Sequence, residues 1–191
     1  IYIPEMLSTT GGATCPEGTA TLEAISTEGD VFWYDEDGNL LATGNVFTTP
    51  LLSSSTTYFA ATSPEGCEVN RIAVDAIVHP IPNIVDPVTL TVCDDDQDGL
   101  SSFDLTTANA LISVNFANET FQYYPSELDA ENNTNEITNP ANYTNVLDTN
   151  DVVWVRTINT NDCFRISQVN LKVTSTTVSY THLTLPTSYA V

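Results

Sequence analysis

The densest chemistry in this sequence lies in residues 93–105, which read Cys-Asp-Asp-Asp-Gln-Asp-Gly-Leu-Ser-Ser-Phe-Asp-Leu. Asp94, Asp96 and Asp98 alternate along the chain and are followed by Gly99. This is the D-x-D-x-D-G pattern of the first half of a calcium loop, where alternate side chains converge on one cation and glycine permits the sharp turn. The segment therefore predicts a Ca²⁺ site formed by a loop.

The second half of this loop differs from an EF-hand. The twelfth position, where an EF-hand has a bidentate Glu, is Leu105, and no helical pattern precedes Asp94. We expect a structural Ca²⁺ site whose further ligands are the carbonyl oxygen of Leu100 and the carboxylate of Asp104. Such a site would rigidify the entry to a second domain. A solvated turn without metal is the alternative interpretation.

The chain has four cysteines, an even number, and they fall into two successive pairs. The order predicts the disulfides Cys15–Cys67 and Cys93–Cys163, with no bridge between domains. Two disulfides would stabilise small β-domains made outside the cytosol. Zinc is the competing interpretation, but there is no CxxC spacing and there are only two histidines.

The charge balance excludes several partners. Twenty-five acidic residues against four basic ones give a formal charge of −21, which repels nucleic acid and anionic lipid. No apolar run approaches the roughly 18 residues of a membrane span, so membrane insertion is not expected. The chain begins inside an apolar stretch without a secretion signal, and we expect it to be part of a longer protein.

Strand-like alternation separated by turn residues recurs along the chain and predicts an all-β protein. One short segment, 106–112, has helical character, and residues 34–40 form a hairpin turn around Asp37-Gly38-Asn39. The predicted strands are 19–25, 31–34, 57–61, 72–78, 88–92, 120–124, 152–158 and 166–173.

Three prolines in residues 79–87 indicate a stiff connector between two domains. We assign residues 1–82 to the first β-sandwich, 83–87 to the linker and 88–175 to the second β-sandwich. Both have a cysteine near the start, an aromatic strand in the middle and a second cysteine before the last long strand. This weak repeat predicts a tandem array whose modules contact their neighbours.

The C-terminal residues 176–191 depart from the repeat pattern. Residues 178–191 follow a finished strand and look like translated sequencing-adapter DNA, so we expect a non-native tail that contributes nothing to stability. A native linker, or a strand of a third module, is the alternative.

Several motifs resemble immunoglobulin-like (Ig-like) repeats of large secreted surface proteins of Bacteroidota, often described as gliding-motility-associated. In the first domain these are Cys15-Pro-Glu-Gly, Phe32-Trp-Tyr-Asp, Gly38-Asn-Leu-Leu, Ser55-Thr-Thr-Tyr-Phe-Ala-Ala-Thr and Glu65-Gly-Cys67. In the second they are Val92-Cys-Asp-Asp-Asp, Asp98-Gly, Phe103-Asp-Leu-Thr, Tyr123-Tyr-Pro-Ser, Asp129-Ala-Glu, Asn139-Pro-Ala-Asn-Tyr143, Val153-Trp-Val-Arg156 and Asp162-Cys163.

The resemblance implies two tandem Ig-like β-sandwiches, located extracellularly or at the cell surface and exported by the type IX pathway through a separate C-terminal sorting domain. It implies a spacer and adhesion role whose partners are neighbouring repeat modules and a surface glycan or protein. The likeness to antibody domains is looser, because Tyr58 stands nine residues before Cys67 where a tyrosine corner stands two before. Cys15–Cys67 would then tie loops or strand ends.

We do not expect an enzyme. His79 lies in the proline-rich connector and His182 in the tail, so a Ser-His or Cys-His arrangement is hard to build. Paired carboxylates are abundant, but sandwiches of this size seldom hold a cleft for glycosidase chemistry.

The alternative function is a carbohydrate-binding or accessory module of a secreted hydrolase. It would require an exposed aromatic strip, for which the candidates are Trp33, Tyr34, Tyr123, Tyr124 and Trp154, although strand alternation predicts most of them to be core. We expect Arg156 and Arg165 to pair with local carboxylates rather than bind a ligand.

Overall fold

The computed structural model describes residues 4–62, 71–94, 96–148 and 150–175. They divide into two compact units. The first unit comprises the described residues up to Asn83 together with Ile158–Arg165, and the second comprises Ile84–Thr157 together with the described residues from Ile166. The segment Ile158–Arg165, placed in the second domain from the sequence, thus packs with the first.

The described residues of the first unit form eight strands in two sheets. The strands are β1 (Met6–Thr10), β2 (Gly12–Thr14), β3 (Thr21–Ser26), β4 (Phe32–Tyr34), β5 (Leu40–Thr43), β6 (Val46–Thr48), β7 (Thr56–Ala61) and β8 (Ile72–Val78). One sheet has the order β1-β3-β6 and the other β2-β8-β7-β4-β5. The chain changes sheets between β1 and β2 at Gly11 and Gly12. A Cβ on Gly11 would collide with the backbone carbonyl of Asp75, and a Cβ on Gly12 would collide with that of Thr21.

Aromatic side chains fill the space between these two sheets. Trp33 stacks on Phe47 at 5.6 Å between ring centroids, and Phe47 meets Tyr58 edge-on at 5.1 Å. The Trp33 indole nitrogen donates to the Gly44 carbonyl at 2.8 Å, so burial leaves its polar group paired. The predicted turn connects β4 to β5, with Gly38 at φ 85°.

In the described part of the second unit there are six strands, two short α-helices and three 3-10 segments. These are β9 (Val88–Asp94), β10 (Ser102–Phe103), α1 (Asn109–Ile112), β11 (Thr120–Tyr124), α2 (Glu127–Asn132), β12 (Tyr143–Thr144), β13 (Asn150–Ile158) and β14 (Phe164–Ser175), with 3-10 turns at Leu105–Ala108, Phe116–Asn118 and Pro140–Asn142.

A four-stranded sheet of order β11-β13-β14-β9 faces the pair β10-β12 and the 3-10 and helical segment 105–112 across the core. β9 runs parallel to β14, with Val88 opposite Val169 and Asp94 opposite Ser175. Alternate residues of these strands, including Val153, are buried.

Helix α2 was not predicted from the sequence, although its capping signal is readable. The Ser126 hydroxyl accepts from the Asp129 amide at 3.1 Å, as in a capping box. Asn133 ends the helix in the left-handed conformation, at φ 53°. The predicted non-native tail, residues 176–191, lies outside the described residues.

Candidate functional site

The disulfide pairing predicted from the sequence is wrong. Cys15 is bonded to Cys163, with 5.7 Å between their Cα atoms and 148 residues between them in sequence. Neither Cys15–Cys67 nor Cys93–Cys163 can therefore form, because Cys15 and Cys163 are bonded to each other. Cys93 has a free, exposed thiol, and Cys67 lies outside the described residues.

The physical reason is the position of the β13–β14 turn. Residues Ile158–Arg165 belong to the first compact unit, where Cys15 also lies. The Asn159 side chain shapes this turn by accepting from the amides of Asn161 at 2.9 Å and Cys163 at 3.2 Å, and its amide group donates to the Pro80 carbonyl at 2.8 Å. The predicted pairing assumed that the whole β13–β14 hairpin packs within the second domain. The turn of this hairpin packs with the first unit instead.

The three alternating aspartates do converge. One oxygen each from Asp94, Asp96 and Asp98 lie within 4.8 Å of one another. Asp94 is buried, and its two carboxylate oxygens accept from the amides of Gln97 at 2.7 Å and Gly99 at 2.9 Å. Gln97 and Gly99 take positive φ values of 65° and 81°, which fold the loop back over Asp94.

The pKa values of Asp94 and Asp96 are shifted in opposite directions. Burial acts to raise the pKa of Asp94, but hydrogen bonds from the amides of Gly99 and Gln97 outweigh it and the pKa is lowered. The negative charge of Asp98 raises the pKa of Asp96. Repulsion between carboxylates is thus present in this loop, and a cation placed between them would relieve it.

Asp104 and Leu100, the other two predicted ligand residues, make local hydrogen bonds. Asp104 is the N-cap of Leu105–Ala108, and its carboxylate accepts from the Thr106 amide at 3.0 Å. The Leu100 amide donates to Asp98 at 2.8 Å. Among the described residues, the convergent acidic group consists of Asp94, Asp96 and Asp98 alone.

The position of the loop differs from the expectation that it would rigidify the entry to the second domain. The chain enters β9 at Val88, and six strand steps of about 3.3 Å put Asp94 about 20 Å further along. Asp94 lies opposite Ser175, the last residue of β14. The loop therefore stands at the end of the unit where β14 finishes.

Asn145, which sequence reasoning missed, holds this loop by hydrogen bonds, and Asp148 lies against it. Asn145 donates from its amide group to the carbonyls of Gly99 at 2.9 Å and Leu147 at 2.8 Å, and accepts from the Ser101 amide at 2.7 Å. A Cβ on Gly99 would collide with the Asp148 carboxylate. Because Asn145 and Asp148 are far from Asp94 in sequence, no local sequence pattern indicates that they contact the loop.

The candidate aromatic strip is largely absent. Trp33, Tyr34, Tyr123 and Tyr124 are buried, and Trp154 is half-buried. Burial raises the pKa of Tyr123 and of Tyr124.

The two arginines that we expected to pair with carboxylates differ in setting. The Arg156 guanidinium donates to the carbonyl of Ala130 at 3.1 Å, at the C-terminal end of α2, where a cation is favourable. Arg165 is exposed.

No helix among the described residues has the length and hydrophobicity needed to cross a membrane.

Both units are β-sandwiches of two layers in which the last strand pairs in parallel with a strand near the N-terminal end of the unit: β8 with β2 in the first unit and β14 with β9 in the second. This arrangement defines the class of protein as a tandem of two Ig-like domains. Residues 4–80 match the family described as Ig-like domain, CHU_C associated, and residues 89–177 match the Flavobacterium inter-domain disulphide bond domain. The chain therefore consists of two Ig-like modules of Bacteroidota type, and Cys15 and Cys163 fall in different matched segments.

The chain is similar to solved structures at low sequence identity. An I-band fragment of titin, I67–I69, is 12% identical with a TM-score of 0.42, over 92% of this chain and 67% of that one. Immunoglobulin domains 1–4 of Sidekick-1 are 13% identical with a TM-score of 0.34, over 93% of this chain and 49% of that one. The chain thus spans about half of the Sidekick-1 structure. No curated protein matches the chain.

Proposed function

We propose that the chain is a non-catalytic, extracellular pair of Ig-like repeat modules that acts as a spacer and adhesion segment of a large bacterial cell-surface or secreted protein. The observation that carries this proposal is the succession of two different Ig-like modules, at residues 4–80 and 89–177, joined by a short connector. Modules of this size in series separate functional parts of a protein and present surface between them.

The disulfide supports an extracellular location. Cys15 and Cys163 are joined across 148 residues, and such bonds form and persist in oxidising compartments. Together with the charge of −21, which keeps copies of the chain apart, this suits a protein exposed outside the cell.

The distribution of aromatic residues supports a spacer over an accessory module of a hydrolase. A coplanar aromatic strip would require Trp33, Tyr34, Tyr123 or Tyr124 at the surface, and all four are buried. Their rings serve the two cores, where they stabilise the sandwiches.

Cell-surface accessibility tests this proposal. Antibodies raised against the chain would be applied to intact cells of the bacterium that encodes it, before and after mild protease treatment, with a cytoplasmic protein probed in parallel. We expect staining of intact cells, or recovery from the medium, and loss of the surface signal after protease. Staining only after lysis would contradict the proposal.

A further inference from the structure

A cavity in the first unit lies beside the disulfide between Cys15 and Cys163. Its volume is about 420 Å³, a size that admits a small organic molecule. The lining residues all belong to the first compact unit and are Cys15, Pro16, Ile81, Asp162, Cys163 and Phe164. Because both cysteines line the cavity, a small reagent inside it would reach the bonded pair.

The two bonded cysteines differ in burial. Cys163 is 1% exposed, whereas Cys15 is half-buried. A disulfide is opened when a thiolate attacks one of its sulfurs, and access decides which sulfur is attacked. The sulfur of Cys15 is therefore the one that an external thiolate can reach, and the sulfur of Cys163 is the leaving group.

The charge around the cavity decides which thiols approach it. Among the described residues of its lining, Asp162 alone is charged. Asp162 is exposed in the β13–β14 turn, where its amide donates to the Asn159 carbonyl at 3.1 Å. The carboxylate adds to the field of a chain with a formal charge of −21. An attacking thiolate is already an anion, so a further negative charge on the reagent is repelled and a positive charge is attracted.

We infer that this cavity is an entry site for small cationic thiols, which form a mixed disulfide with Cys15. The thiolate sulfur bonds to the sulfur of Cys15 while the bond to Cys163 breaks. The Cys163 sulfur leaves with the electron pair and takes up a proton. A second thiol then attacks the reagent sulfur of the adduct and releases Cys15. Two thiols are thereby oxidised to one disulfide, and the protein disulfide gains the two electrons.

Opening the bond changes how the turn at Ile158–Arg165 is held. The disulfide joins this turn covalently to Cys15, and the Asn159 side chain also donates to the Pro80 carbonyl at 2.8 Å. The reaction removes the covalent connection and leaves only non-covalent contacts. The cavity thus makes the attachment of the turn sensitive to small thiols, a property that does not depend on the adhesion part of the proposed function.

Thiol exchange on the native whole chain tests the inference. Free thiols, including that of Cys93, are first blocked with iodoacetamide. The chain is then treated at low ionic strength with cysteamine, mercaptoethanol or mercaptoethanesulfonate, which carry a positive, no and a negative charge besides the thiolate. N-ethylmaleimide stops the reaction and labels the released cysteine, and peptide mass spectrometry locates both groups. Rates are divided by those for an uncharged small disulfide, which corrects for differences in nucleophilicity.

The variant Asp162→Asn removes the carboxylate from the cavity, and asparagine tolerates the φ of 60° at this position. Its matched control is Asp30→Asn, an exposed acid of the same unit that does not line the cavity. Both variants change the net charge equally, and their melting curves establish that they fold.

We expect the reagent on Cys15 and the maleimide on Cys163, with cysteamine faster than mercaptoethanesulfonate by about ten-fold. Asp162→Asn should reduce this ratio by about three-fold, and Asp30→Asn should leave it unchanged. Absence of any adduct on the native chain, an adduct on Cys163, equal corrected rates for the three thiols, or the same ratio in both variants would each overturn the inference.

Discussion

Asp94 and Ser175 lie directly opposite each other where β9 and β14 end side by side. The convergent carboxylates of Asp94, Asp96 and Asp98 therefore stand beside the last residue of β14. A cation bound there would order the paired ends of β9 and β14, and not the entry of the chain at Val88.

Calcium is expected to bind this loop weakly and to raise the melting temperature of the second module. A dissociation constant on the order of 0.1 to 1 mM is typical of extracellular calcium modules. Binding to the folded loop alone stabilises by mass action. Differential scanning calorimetry with and without calcium measures the shift.

The variant Asp96→Asn/Asp98→Asn should lose the calcium effect. Glu36→Gln/Asp37→Asn, an exposed acidic pair in the β4–β5 turn, changes the charge equally and should keep it. If sodium chloride at the same ionic strength shifts the wild-type melt as far as calcium does, the effect is charge screening and the site does not exist.

Non-reducing peptide mapping should recover one peptide pair that joins Cys15 to Cys163, and alkylation without reduction should modify Cys93. The double variant Cys15→Ser/Cys163→Ser should unfold at lower denaturant. Chain entropy for a closed loop of 148 residues gives a loss of about 5 kcal/mol as an upper value. A peptide that links Cys15 or Cys163 to Cys93 or Cys67 would show the pairing to be incorrect.

Gly99→Ala should destabilise the second module more than Gly29→Ala destabilises the first. Both glycines have φ 81°, which costs an L-residue about 1 kcal/mol, but only the Cβ at Gly99 would collide with Asp148. Urea unfolding measures the two losses. Adding Asp148→Ala should bring the Gly99→Ala cost down to that of Gly29→Ala, and equal costs without it would refute the contact.

Stability should fall in acid partly through Asp94. Its folded-state pKa is lowered from 3.8, so its contribution is complete above the unfolded pKa and is lost as the pH falls through the lowered folded value. Asp94→Asn should reduce the acid dependence of unfolding below pH 3.8. Hydrogen bonds from Ser126 and Asn135 also lower the pKa of Asp129, so the variant Asp129→Asn should likewise reduce the acid dependence of unfolding. Unchanged pH profiles for both variants would contradict these assignments.

Local patterns were sufficient to predict most of the fold. Alternation located β8 at 72–78 and the part of β13 from 152 to 158, and a glycine in a polar turn located the β4–β5 hairpin. The tandem of Ig-like sandwiches followed from motifs within each module. These features depend on residues close in sequence, so the sequence contains their signal.

Features that depend on distant residues were not predictable. The bond between Cys15 and Cys163 requires a hairpin to pack with the other compact unit, which no local pattern encodes. The acidic cluster was predicted from its spacing, but the capping role of Asp104 and the bridging role of Asn145 depend on tertiary placement.

The long-range disulfide also decides how the chain would respond to a pulling force applied at Met6 and Ser175. Tension would pass from Cys15 to Cys163 through the covalent bond and bypass every residue between them. Only β1, β2 and β14 lie on the loaded path, and β14 is held by its parallel ladder with β9 in a shearing geometry. Reduction would release 148 residues of hidden length, on the order of 500 Å when extended. The bond thus makes this pair of modules a nearly inextensible link that a reductant would convert into a long tether.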